Sequence, residues 1–306
     1  MRAYLLRRLA LFLPALAGVV TVVFFLSRAL PGDPVQLMLG ESAPPQRRAE
    51  LRRALHLDEP LGAQYVAYVG ELARGRLGDS LRTGRPVARE LLDAFPRTLE
   101  LGLAALGLAC LMALPLGLCA ARRPGGRADA AARIFSTAGL SLPSFFTGPL
   151  LLLAFAVWWP LLPVSGADEP GALLLPCFTL ALPLAALLTR LLRASLRDEG
   201  RAEYLATARM KGLSEGRVLW AHALRNASLP VVTTLGLQFS AVLTGAILTE
   251  KVFRWPGLGS LVLRAIASRD YPVLQGAVLL FAFVALASTL LTDLLYGLLD
   301  PRVRHG

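Results

Sequence analysis

Cysteine and histidine are scarce in this chain, three of each in 306 residues. Cys110, Cys119 and Cys177 fall within or at the ends of apolar runs, at spacings that match no metal or redox motif, so they read as small packing residues. His56, His222 and His305 lie in three separate segments, which gives no basis for a metal cluster built from this chain. There is no G-x-x-x-x-G-K-[ST] phosphate loop, no Ser or Cys nucleophile in a recognisable setting and no His/Glu metal motif. The sequence therefore predicts a non-catalytic protein without cofactor or metal, unable to hydrolyse ATP by itself. Charge is thin as well, with Asp, Glu, Lys and Arg making up 17% of residues. Inside the apolar runs, Glu100 and Asp293 lie toward the ends and Glu250 at an outer rim. An ion-coupled carrier needs ionisable groups at mid-span, so that class is disfavoured.

Apolar residues fill the gap, at 55% of the chain with a mean hydropathy of +0.56. They gather into blocks of about 20, the length a helix needs to cross a bilayer. The blocks are Leu9–Leu30, Leu99–Ala121, Ile134–Trp159, Ala172–Leu192, Leu229–Thr249 and Val273–Leu299. None alternates apolar with polar residues as a barrel strand does, so the fold class is all-α, a polytopic membrane protein with six transmembrane helices. The first block, preceded by Arg2, Arg7 and Arg8, is longer than a signal-peptide core and reads as an uncleaved anchor.

Basic residues in short loops set the orientation. Arg2, Arg7 and Arg8, then Arg122, Arg123, Arg127 and Arg133, and finally Arg302 and Arg304 place both termini in the cytoplasm, whereas the Pro160–Gly171 loop carries only Asp168 and Glu169. The net charge of +11 thus belongs to membrane-flanking loops and to contact with membrane lipid, without the aromatic platform that nucleic acid would require. Three regions follow: a cytoplasmic end and first span over 1–30, an extracytoplasmic loop or cap over 31–96 with helices near Gln46–Leu55 and Leu61–Ala73, and a five-helix core over 97–306. That core holds a cytoplasmic loop at 196–228.

This loop is the most informative stretch. Glu203 to Lys211 is built of good helix formers, Gly212 follows as a helix stop, and a second helical run covers Glu215 to Asn226 before Leu229-Pro230 opens the fifth span. A bilayer has no use for so many charges, and a structureless loop would not carry an alanine-rich helical pattern. The small residues Ala202, Ala206 and Ala208 would let another protein approach the backbone closely. On the fifth span, Thr233, Thr234, Gln238, Ser240, Thr244 and Thr249 form a polar scatter, read either as pore lining, with Thr234, Gln238 and Thr244 the candidates, or as helix-to-helix hydrogen bonding.

Ala206-Thr-Ala208 followed by Gly212, between the fourth and fifth spans, resembles the EAA loop of ATP-binding-cassette importer permeases. The strings His222-Ala-Leu-Arg-Asn226 with Leu229-Pro230, Pro31-Gly-Asp-Pro34, Ser141-Leu-Pro-Ser-Phe145, Phe253-Arg-Trp-Pro-Gly-Leu-Gly259, Arg269-Asp-Tyr-Pro272 and Asp300-Pro-Arg-Val-Arg304 resemble the dipeptide, oligopeptide and nickel branch, in order and over nearly the whole chain. Ala206 stands where the general motif has glutamate, and the usual I-x-L-P site is displaced by five residues. The resemblance implies a type I importer permease fold and a set of partners: a second homologous permease, two cytoplasmic ATPases and an extracytoplasmic solute-binding protein. It also implies that Glu203, Tyr204, Ala206, Ala208, Arg209 and Gly212 dock on an ATPase and pass its motion to the spans. Di- or oligopeptides are the expected cargo, with nickel, glutathione, opines or oligosaccharides as alternatives and an ion-coupled carrier or channel as the competing class. The extracytoplasmic region reads either as a surface for the binding protein or as a spacer.

Overall fold

The computed structural model describes residues 2–29, 35, 44–54 and 57–299. The Pro31–Pro34 string, His56, the Asp293 side chain and the Asp300–Arg304 ending, with Arg302, Arg304 and His305, lie outside what is described. Among the described residues the secondary structure is helical, apart from an isolated antiparallel bridge between Asp79 and Pro86. The elements are α1 (Arg2–Ala29), α2 (Pro45–Ala54), α3 (Leu61–Ala73), α4 (Val87–Arg122), α5 (Arg127–Ser141), α6 (Ser144–Leu152), α7 (Leu174–Glu199), α8 (Glu203–Met210), α9 (Glu215–Arg217), α10 (Leu224–Ala227), α11 (Leu229–Phe253), α12 (Leu258–Ser268) and α13 (Tyr271–Leu299). Short π-helical stretches follow α6 at Leu153–Trp158 and α9 at Val218–Ala223.

The helices α4, α7, α11 and α13 are each long and apolar enough to cross a membrane. The third apolar block, expected as one span over Ile134–Trp159, is instead broken: α5 and α6 meet at 101°. Pro143 is the cause. Its ring disfavours the α conformation of the residue before it, and Leu142 sits in the extended region at φ −94°, ψ 115°. The neighbours nevertheless advance in one direction along α7. Asp129 at the start of α5 bonds Arg193, Gly139 lies against Ala186 and Gly148 against Thr179, and Ala156 clusters with Leu175. A re-entrant loop would return to its starting level. Here the contacts climb from Arg193 to Leu175, roughly 27 Å at 1.5 Å per residue, close to the hydrocarbon thickness. The pair thus follows α7 in one direction through its bend, as a single broken span does. The first apolar block lies on α1, 28 residues long, whose apolar part among the described side chains is Ala10–Leu26.

The chain divides into two compact units, one centred on Thr98–Trp255 with the end of α13 from Ala287, the other on Ala3–Arg97 with Pro256–Leu286. The first unit is organised around α7, where Leu180, Ala181, Leu184, Ala185, Leu188 and Leu192 are buried against Leu101, Ala105, Ala109 and Ala113 of α4. Small residues set the spacing: a Cβ built on Gly139 would stand 2.7 Å from the Ala186 Cβ, so glycine lets the two backbones touch. In the second unit, Val87, Leu91 and Ala94 pack with Leu258, Leu261, Val262 and Ala265 of α12 and Val273 and Ala277 of α13. Val20 and Val23 of α1 pack with Leu279, Tyr68 and Leu72. The two helices expected within the long loop are found, as α2 and α3.

Asp270 fixes the loop after α3. This carboxylate, 4% exposed, accepts a hydrogen bond from the Ser80 hydroxyl at 2.5 Å and from the Leu81 and Arg82 amides at 3.1 and 3.4 Å. A side chain at the α12–α13 junction thus pins the Ser80 turn, a long-range contact between segments about 190 residues apart.

Candidate coupling site

The insert between α7 and α11 folds as a helix, a glycine turn and a second helical run, as its sequence pattern predicts. Its first turn ends in a Schellman motif: Gly212 donates to the Arg209 carbonyl at 2.9 Å and Leu213 to the Ala208 carbonyl at 3.4 Å. Gly212 has φ +78°, a left-handed conformation that an L side chain adopts only with strain. Across this turn the Arg209 guanidinium meets the Glu215 carboxylate in a two-pronged pair, Nε to Oε1 at 2.8 Å and Nη2 to Oε2 at 3.4 Å. At this exposure the pair adds little energy, but it closes the turn side to side.

The inner face of α8 anchors it. Leu205 is 1% exposed and Ala208 8%, and both join the main core with Val218, Ala223 and Ala227. Ala208, expected on the docking surface, is thus turned into the chain's own core. It shares the buried side of the helix with Leu205, three residues and nearly one turn away. Glu203, Tyr204, Ala206, Thr207, Arg209 and Met210 are exposed, Met210 to 80%.

The two ends of the insert are tied together. The Tyr204 hydroxyl donates to Glu199 Oε1 at 2.5 Å, and Asn226 Nδ2 donates to the same oxygen at 3.2 Å and to the Tyr204 oxygen at 3.0 Å. Partial burial, then the bond to Glu199, raises the Tyr204 phenol above its ordinary pKa, so it stays protonated as a donor. Glu199 closes α7 and Asn226 sits just ahead of α11, so the clasp spans 27 residues of sequence. Neither residue stands out in the sequence as a partner of Tyr204, because the three lie on different elements and no periodicity links them.

The polar scatter on α11 divides. Thr233 and Thr244 donate to carbonyls one turn back, Leu229 and Ser240, and the Ser240 and Ser288 hydroxyls bond each other between α11 and α13. Thr234 and Gln238 are half-buried and Thr244 is exposed. Thr249 is buried, its hydroxyl without a hydrogen-bond partner. Glu250, expected at an outer rim, lies in the last turn of α11 with its side chain fully buried, where the Thr98 hydroxyl donates to its carboxylate at 2.6 Å.

With this geometry in hand, residues 113–305 match the family model described as the binding-protein-dependent transport system inner membrane component. The chain belongs to that family. Residues 1–102 match the companion N-terminal model of the same membrane components. Among curated relatives, this inner-membrane transport component is 41% identical to the di/tripeptide transport system permease protein DppB of Pseudomonas aeruginosa strain UCBPP-PA14, over all of this chain and 99% of the relative. It is 39% identical to the dipeptide transport system permease protein DppB of Escherichia coli strain K12, with the same coverage. The glutathione transport system permease protein GsiC of Salmonella typhimurium strain LT2 is also 39% identical, over 99% of each chain. Among solved structures, the inward-facing MetNI methionine ABC transporter superimposes with a TM-score of 0.57, covering 69% of this chain and 96% of that one at 15% identity. An amino acid ABC transporter gives 0.52, covering 70% and 94% at 16% identity. At those identities the likeness establishes the permease fold alone.

Proposed function

We propose that this permease subunit forms the path for di- and oligopeptides in an ATP-driven importer, and that the Glu199–Asn226 insert is its coupling element. The observation that carries the reading is the construction of the insert. One face of α8 is locked into the core by Leu205 and Ala208, while the opposite face, with Glu203, Ala206 and Met210, is exposed on a short helix held by a Schellman turn and a hydrogen-bonded clasp. A rigid element of this kind moves as a unit, so force applied to its exposed face passes into α7 and α11 rather than dissipating in a loose loop.

The partners are two cytoplasmic ATPases docking on that face, a second homologous permease beside this one, and an extracytoplasmic solute-binding protein. Both termini and the insert are cytoplasmic, as the arginine distribution of the loops indicates. The peptide assignment draws on the names of the DppB relatives. Glutathione, itself a small peptide, remains within the same class through GsiC. Nickel and an ion-coupled mechanism have no comparable support, since the relatives named above are peptide and glutathione permeases.

Two substitutions on the same helix test the coupling. Ala206→Trp places bulk on the exposed face and is expected to abolish peptide uptake and binding-protein-stimulated ATP hydrolysis in proteoliposomes, with the permease still inserted and folded. Leu205→Ala removes a buried leucine and is expected to lower stability by about 2–5 kcal/mol. Wild-type uptake by Ala206→Trp would exclude this face as the docking surface.

A further inference from the structure

The clearest feature left unused by coupling is an arginine-lined cavity in the Thr98–Trp255 unit. It has a volume of about 250 Å³ and is lined by Arg133, Ser136 and Thr137 of α5 and by Arg190 and Arg193 of α7. Ser136 and Thr137 follow Arg133 by three and four residues and Arg193 follows Arg190 by three, so each helix lines the cavity with one face and the cavity is a seam between two helix stripes. Among the described residues, the one carboxylate paired with the lining arginines is already engaged. Asp129, 2% exposed, accepts from the Arg193 guanidinium and from the Gly125 amide at 3.0 Å, and approaches Arg133 only at 3.9 Å. Among the described residues Arg190 is paired with no carboxylate. Three guanidiniums against one carboxylate leave two positive charges at the cavity uncompensated.

We infer that this cavity binds the phosphate head group of an anionic phospholipid. Guanidinium groups match phosphate oxygens in a planar, two-pronged geometry, and basic pockets between spans on the cytoplasmic side suit lipid head groups. At about 250 Å³ the space falls below the roughly 300–1,000 Å³ typical of small-molecule pockets and suits a head group rather than a peptide. The same helix also offers apolar surface for an acyl chain, which a free ion would not use: α5 exposes Ile134 to 71% and Leu140 to 42%. The leaflet assignment rests on the orientation proposed above. Head-group binding itself needs no transport activity, so it can fail or succeed independently of the peptide reading.

The test is native mass spectrometry of the assembled transporter titrated with phosphatidylglycerol, phosphatidylcholine or inorganic phosphate. Wild type is expected to retain phosphatidylglycerol selectively. Arg190→Gln or Arg133→Gln is expected to weaken retention about fivefold each, the equivalent of about 1 kcal/mol per basic residue at an anionic surface, with Arg190→Lys, which keeps the charge but not the planar fork, restoring only part of it. Both arginines are exposed, so the variants are expected to fold, and unchanged thermal unfolding without added lipid verifies this. Equal retention by the double glutamine variant, equal retention of phosphatidylcholine, or displacement of the lipid by millimolar inorganic phosphate would each overturn the assignment.

Discussion

Gly212 gives the sharpest test of the coupling element, because its requirement is torsional rather than steric. A Cβ built on it meets nothing within 4 Å, yet φ is +78°. Substitution therefore costs only the strain of a left-handed L residue, about 1–2 kcal/mol. That penalty shifts the balance between the formed and opened turn by a factor of roughly 5–30. The expected order of function is glycine first, then asparagine, alanine and valine, since asparagine tolerates the left-handed region and a β-branched chain does not. The assay is binding-protein-stimulated ATP hydrolysis in nanodiscs, expressed as the ratio to the unstimulated rate, with hydrogen exchange across 203–213 measured on the same samples. The ratio is expected to fall as exchange rises, while the unstimulated rate stays constant. Full stimulation in Gly212→Val would refute the argument. So would Gly212→Asn proving as damaging as Gly212→Val, because that pattern reports lack of space rather than strain.

Two further outcomes follow from the hydrogen-bond geometry. Asp270→Ala leaves the buried Ser80 hydroxyl and the Leu81 amide without their acceptor, at about 1–3 kcal/mol for each unsatisfied group, and limited proteolysis is expected to cut first within the turn around Ser80–Arg85. Tyr204 has a folded pKa raised above 10.0, so its contribution is complete below the ordinary tyrosine range and is lost as pH rises through the folded value, when a phenolate would face Glu199. Stability of the insert, followed by hydrogen exchange, is thus expected to be flat from pH 6 to 9 and to fall at higher alkalinity, and Tyr204→Phe is expected to remove that alkaline loss.

Much of this architecture is legible in the sequence because long apolar runs and a placed glycine are local signals. The helix–turn–helix of the insert could be read from its alanine-rich start and from Gly212. The ends of α11 and α12 could not, and the reason is specific. Both close in the same left-handed motif as α8, but with arginine at the turn: Arg254 at φ 52° and Arg269 at φ 55°, followed by Trp255 donating to the Glu250 carbonyl and Asp270 to the Ala265 carbonyl. Without the expected glycine, α11 runs past Thr249 to Phe253, and α12 passes unnoticed. The break at Pro143 was hidden for a different reason, since the apolar composition on either side is continuous. Within the site, Glu203, Tyr204 and Ala206, named through the family resemblance, are exposed, whereas the inward turn of Ala208 and the roles of Glu199 and Asn226 depend on tertiary packing that no local pattern encodes.

The elbow at Pro143 has a mechanical consequence. Its distal arm, α6, meets two neighbours at Gly148, which lies against Thr179 and also against Val252 and Phe253. Those neighbours belong to α7 and α11, the helices joined covalently by the clasped insert. A tug on that short bridge therefore acts on both jaws gripping α6, while α5 stays keyed to α7 through Gly139 and Asp129. A straight, unbroken helix across the bend would make α6 and α5 one rigid piece, so that force on either would be carried by both.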